Sequence, residues 1–73
     1  MSSMVKIVFA ENLKLLMKEH GLNQVKLSEL TNISQSAISA WLKGKKEPSI
    51  TSLWILSDYF CCTIDELVGK KDL

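Results

Sequence analysis

Arginine is absent from this 73-residue chain; all nine of its cations are lysine, so no planar guanidinium fork is available for bidentate hydrogen bonding. One proline and three glycines leave no material for a flexible linker or a low-complexity tail. The two cysteines, Cys61 and Cys62, are neighbours. Adjacent cysteines rarely close a disulfide and two thiols cannot complete a four-ligand metal site, so both are expected to be reduced and packed near a helix end. The single histidine, His20, has no companion at ligand spacing and reads as a residue at a helix C-terminus, capping it or meeting its dipole. Apolar runs such as Leu15-Leu16-Met17 are far too short for a signal peptide or a membrane span. No histidine, cysteine or carboxylate constellation has nucleophile, base or metal spacing. The expectation is a cytoplasmic protein with no membrane segment, metal, cofactor or catalytic centre.

What is present suffices for one core. Apolar residues make up 47% of the chain, which argues against disorder. A chain this short buries only roughly 60% of its unfolded surface, so residues 1–73 form one domain, with 1–6 extended or disordered and 69–73 a tail. The net charge of +1 hides a polarity. Residues 23–46 carry Lys26, Lys43, Lys45 and Lys46 against Glu29, a local +3; residues 47–73 carry a local −3. One face suits an anion and another does not.

The regular structure is helical throughout. A first helix runs from about Val8 to His20, with Phe9, Leu13, Leu16 and His20 along one stripe and Gly21 as its stop, while Met4 to Val8 reads as extended. Asn23 caps a second helix that ends near Thr31, with Leu27 and Leu30 facing inward. Asn32 takes the turn, where asparagine tolerates a left-handed backbone. Ser34 caps a third helix ending at Lys43, with Gly44 beyond it. Pro48 and Ser49 open a fourth, reaching about Phe60, and Thr63 with Glu66 forms the capping box of a short fifth.

The third helix has two distinct faces. At about 100° per residue, Gln35, Ser36, Ser39, Ala40 and Lys43 share one arc, and Ala37, Ile38, Trp41 and Leu42 the opposite one. The apolar arc must be buried, so the other points outward. A merely solvated face would favour Glu and Lys, whereas this one is short and nearly neutral, allowing close approach to another surface. Glutamine can pair with adenine N6 and N7, serine with several bases or a phosphate, and alanine with a thymine methyl. Gln24, at the start of the second helix, sits where free N–H groups attract phosphate. Lys43, Lys45 and Lys46 leave the third helix where a DNA backbone would pass.

These residues resemble the Cro/phage-repressor helix-turn-helix family over nearly the whole chain. The resemblance is carried by Gln24, Leu27, Asn32, Ile33, Ser34 and Ile38-Ser39, then by Gly44, Pro48 and Ser49 at the usual spacing. The tail Leu53, Leu56, Phe60, Thr63, Asp65, Glu66 and Leu67 continues it. It implies an all-α, five-helix, lambda-repressor-like domain that regulates transcription, as a repressor, by inserting its third helix into the major groove of a double-stranded operator. On that reading Gln35, Ser36, Ser39 and Ala40 read bases, and Gln24, Ser34, Lys43, Lys45 and Lys46 touch the DNA backbone. Three positions depart from the family pattern. The turn glycine is Asn32, the small residue after the helix-two leucine is Ser28, and an arginine–glutamate pair found in many relatives is replaced by Met17 and Leu42. Exchange of a buried ion pair for packed apolar groups is often neutral or stabilising, so Met17 and Leu42 are expected to meet in the core. Without arginine, guanine recognition by a bidentate fork is unavailable, and half-sites with A·T pairs opposite Gln35 are expected.

Helix four carries more apolar residues than one stripe needs. Leu53, Leu56 and Phe60 take core positions, leaving Trp54, Ile55 and Tyr59, with Val68, for a homodimer interface. The ordinary alternative packs Trp54 against helix five. The rival function is a protein-interaction module or an antitoxin on the same fold, acting through a protein partner. At this length no small-molecule effector domain is expected.

Overall fold

The computed structural model describes residues 2–73. Five helices follow one another: α1 (Ser2–Glu19), α2 (Gln24–Thr31), α3 (Gln35–Leu42), α4 (Ile50–Phe60) and α5 (Ile64–Val68). There is no strand among the described residues. Four starts are fixed by short polar side chains that accept a hydrogen bond from an otherwise unpaired helix N–H. Asn23 accepts from the N–H of Lys26, Ser34 from that of Ala37, Ser49 from that of Ser52 and Thr63 from that of Glu66. The Thr63–Glu66 capping box is complete.

The ends close on left-handed residues. After α3, the Gly44 N–H donates to the Trp41 carbonyl (3.0 Å) and the Lys45 N–H to that of Ala40 (2.9 Å). This bond pair turns the chain sharply out of the helix, with Gly44 at φ 69°. Two non-glycine residues take the same conformation, Asn32 (φ 62°) after α2 and Cys61 (φ 55°) after α4.

One core unites the helices. Phe9, Leu13, Leu16 and Met17 of α1 meet Leu27, Ile33, Ile38, Trp41, Leu53, Leu56, Phe60 and Leu67, with Leu42 packed against the cluster. Met17 is buried in this cluster and Leu42, half-buried, packs against it. The Asn12 amide ties α1 to the end of α5, donating to the carbonyls of Glu66 (2.9 Å) and Leu67 (3.1 Å).

Three expectations need correction. The chain is helical from Ser2, not extended over Met4 to Val8 or residues 1–6; Met1 lies outside the described residues. Val5, Ile7 and Val8 are β-branched, which lowers helix propensity slightly, yet extending an existing helix adds a bond per residue fixed. Val8 also abuts Gly69 in the tertiary structure. Second, Leu30 does not face inward: it is 47% exposed, and Thr31 is buried in its place. Thr31 lies four residues after Leu27, on the same helix face, and its hydroxyl donates to the Leu27 carbonyl (2.7 Å). Third, His20 does not cap α1 with its side chain; backbone bonds close that end, the Gly21 N–H donating to the Lys18 carbonyl and the Leu22 N–H to that of Met17. The His20 ring instead meets Phe60 edge-on at 5.0 Å.

Candidate nucleic-acid interface

The eight residues of α3 are clamped from behind. Ile38 is fully buried and Trp41 nearly so, and Trp41 meets the Phe9 ring edge-on. With that side fixed, the other must face out. Gln35 and Ser36 are exposed, while Ser39 and Ala40 are half-buried on the flank of the same face. The N-terminal base-reading candidates therefore stand proud, and the later two lie closer to the body. Ser34 is exposed and already accepts from the Ala37 N–H (3.2 Å), so a backbone contact would have to use its remaining hydrogen-bonding capacity.

Lys43, Lys45 and Lys46 are exposed, and the turn at Gly44 carries Lys45 and Lys46 off the helix axis. Among the described residues the ion pairs are Lys14 with Glu11 (3.6 Å) and Lys26 with Glu29 (3.9 Å), neither of which draws on the three lysines of the exit loop. Gln24 opens α2 half-buried, one residue beyond the Asn23 cap. The site is a short, nearly neutral helix face followed by a cationic exit.

The turn contains contacts that residue types alone did not reveal. The Ser28 hydroxyl donates to the Ile33 carbonyl (2.6 Å), and the Ile33 N–H donates to the Thr31 hydroxyl oxygen (3.3 Å). Ser28 had suggested only small size, and Thr31 only a helix end. Hydroxyls at positions three apart, beside a left-handed asparagine, are the signal in retrospect.

The candidate dimer residues divide. Trp54 is 69% exposed, not packed on α5. With Leu30, Thr31, Ile55, Asp58 and Tyr59 it lines an open groove of about 210 Å³ between α2 and α4. Val68 is half-buried against the core and takes no part in that groove. Cys61 and Cys62 are free thiols. Burial, then the negative charge of Glu66, then Cys61 push the Cys62 thiol above its ordinary value, which disfavours the thiolate that metals bind. Among the described residues no group of three or more His, Cys, Asp or Glu could hold a metal ion. No helix among them is long and apolar enough to cross a membrane.

The helix-turn-helix family model of the Cro/C1 type matches residues 13–67. The HTH-type transcriptional activator BcrR of Enterococcus faecalis is 40% identical over 65 residues, covering 89% of this chain and 32% of that protein. The crystal structure of a transcriptional regulator from Listeria innocua superposes with a TM-score of 0.77 at 42% identity, covering 89% of this chain and 61% of that one. The chain thus spans about a third of the Enterococcus protein and about three-fifths of the Listeria chain. The family match covers all of α2 to α4, including the outward face of α3 and its lysine exit, and the chain belongs to the Cro/C1-type helix-turn-helix family of DNA-binding transcriptional regulators.

Proposed function

We propose that this chain is a sequence-specific binding module for double-stranded DNA that regulates transcription by placing α3 in the major groove of an operator, with no catalysis of its own. One observation carries the reading: Gln35 and Ser36 are exposed at the start of α3, Ile38 on its opposite face is fully buried, and three exposed lysines follow the other end of the helix. Gln35, Ser36, Ser39 and Ala40 read base edges; Gln24, Ser34, Lys43, Lys45 and Lys46 hold the phosphates. Such a module works where the genome is, in the cytoplasm of a bacterial cell. A relative described as an activator gives no support to repression over activation.

Two copies bind together on this reading. An eight-residue helix is only about 12 Å long and meets few base pairs, so a second α3 about one turn away, roughly 34 Å, extends the site. The exposed Trp54 and Leu30 beside Ile55 and Tyr59 supply apolar surface for pairing. The same groove favours a second reading, in which it seats a different protein, as in an interaction module or an antitoxin.

Selection from a random duplex library with the purified protein tests the main reading. The expected result is an enriched motif with A·T pairs opposite Gln35, arranged as two half-sites. Absence of any enriched sequence sinks DNA reading, and G·C pairs alone at that position sink the role of Gln35. Sedimentation with and without the selected duplex tests pairing; one copy per duplex at every concentration shifts the groove to the protein-partner reading.

A further inference from the structure

Three residues, Asn32 to Ser34, separate α2 from α3, and the middle one is held at both of its backbone polar groups. The Ile33 carbonyl accepts from the Ser28 hydroxyl at 2.6 Å, and its N–H donates to the Thr31 hydroxyl oxygen at 3.3 Å. The Thr31 hydroxyl spends its own proton on the Leu27 carbonyl at 2.7 Å. Both gripping side chains belong to α2. The gripped residue stands immediately before Ser34, the cap of α3, and two before Gln35. Thr31 and the Ile33 side chain are buried, at 9% and 8% exposure.

These bonds are additional to what α2 needs to terminate. That end is already closed by the Asn32 N–H donating to the Ser28 carbonyl at 2.8 Å, with Asn32 in the left-handed region. The hydroxyls instead bind the turn residue that stands just before the cap of the next helix. Apolar packing behind α3, through Ile38 and Trp41, fixes which side is buried, but that attraction is non-directional. Hydrogen bonds carry an angular preference. A pair of them on one residue fixes the pitch and roll with which α3 leaves the turn. Recognition groups must be held within about 0.5 Å and 10–20° to work, and Gln35 lies two residues beyond the clamp.

We propose that Ser28 and Thr31 are positioning residues for sequence discrimination: without touching DNA, their hydroxyls lock Ile33 and so set the angle at which α3 presents Gln35 and Ser36. The inference rests on the DNA-reading function proposed above. Lysine contacts to phosphate tolerate a small change of angle because they act as point charges, whereas a bidentate glutamine contact does not. Loss of the clamp therefore lowers affinity for the correct sequence more than affinity for DNA in general.

The test uses Ser28→Ala and Thr31→Val, each of which removes one hydroxyl with little change of size, and Thr31→Ser, which keeps it. Each is compared with the parent on the duplex that the parent selects and on a scrambled duplex of equal composition, at a temperature where circular dichroism shows every protein fully folded. The expected result is a loss of about two- to tenfold on the selected duplex, the worth of one net hydrogen bond. Affinity for the scrambled duplex and the salt slope stay unchanged, and Thr31→Ser keeps the parent's ratio. In the free protein, the Ile33 amide exchanges with deuterium faster in Thr31→Val than in the parent. Equal losses on both duplexes, or an unchanged ratio in Ser28→Ala and Thr31→Val, overturn the inference while leaving DNA reading intact. A parent that enriches no sequence overturns both.

Discussion

Trp41 and Phe9 meet edge to face, ring centroids 5.6 Å apart and planes at 77°, and this pair joins the back of α3 to α1. Burial of the indole is nearly complete. Trp41→Ala should cost about 3–5 kcal/mol, a large share of the stability of so small a domain. Phe9→Leu, which keeps an apolar side chain, should lose a smaller amount, including the roughly 0.5–1.5 kcal/mol specific to an aromatic pair. Urea unfolding measures both. A Trp41→Ala protein as stable as the parent contradicts the anchoring of α3 described here.

Lys45 and Lys46 should act differently from Gln35. Lys45→Gln or Lys46→Gln should weaken binding to every duplex and flatten the log–log salt dependence by about one unit for each lost phosphate contact. Gln35→Ala should change which sequence is preferred and leave the salt slope alone. Binding isotherms on selected and scrambled duplexes at several salt concentrations separate the two. Identical behaviour of both mutant types would falsify the division into base readers and phosphate contacts.

Gly69 lies against Val8 so closely that a Cβ added there would stand 2.4 Å from a Val8 methyl, and its φ is +88°. Gly69→Ala therefore suffers twice. The backbone conformation alone costs an L-residue about 1–3 kcal/mol, and each kcal/mol lowers the melting temperature by about 4–8 °C for a domain this size. Adding Val8→Ala should remove the steric part and leave the backbone part. A thermal melt of Gly69→Ala matching the parent would mean that the α1–α5 contact is looser than described.

Cys61 holds a left-handed backbone, φ 55°, at the end of α4, and its side chain is exposed. Glycine takes that conformation without a Cβ penalty. Cys61→Gly should thus stabilise the fold, by up to about 1 kcal/mol, read as a higher urea midpoint at unchanged slope. The raised Cys62 thiol carries its own expectation. At pH 8 it holds less thiolate than an ordinary cysteine, so iodoacetamide should alkylate Cys61→Ser, which retains Cys62, more slowly than Cys62→Ser. Mass spectrometry over time gives the rates.

Helix limits were legible in the chain because capping is a local bargain between a side chain and backbone groups two or three residues away. Asn23, Ser34, Ser49 and Thr63 each do what their type and position announced. Asn32 took the left-handed turn for the same local reason. The partition of α3 was also legible, since Ile38 and Trp41 recur at helical spacing and Gln35 and Ser36 fall opposite.

Other features depended on what lay across the fold. The helix begins at Ser2 although Val5, Ile7 and Val8 favour extended chain, because Phe9 and Leu13 anchor the helix and each residue added to its start gains a hydrogen bond. Leu30 and Trp54 are apolar yet stand exposed beside a groove, whereas Thr31 is buried. Hydropathy could not foresee the reversal of Leu30 and Thr31, since a threonine that satisfies its own hydroxyl loses little on burial.

By itself, the amino-acid order determined where α2 to α5 start and stop and which face of α3 is apolar, since those outcomes depend on neighbours within a turn or two. Only the tertiary structure decided that Asn12 fastens α1 to α5, and that apolar residues of α2 and α4 border one groove. Those relations depend on the angle between packed helices, which the whole core sets at once and no short stretch of chain encodes.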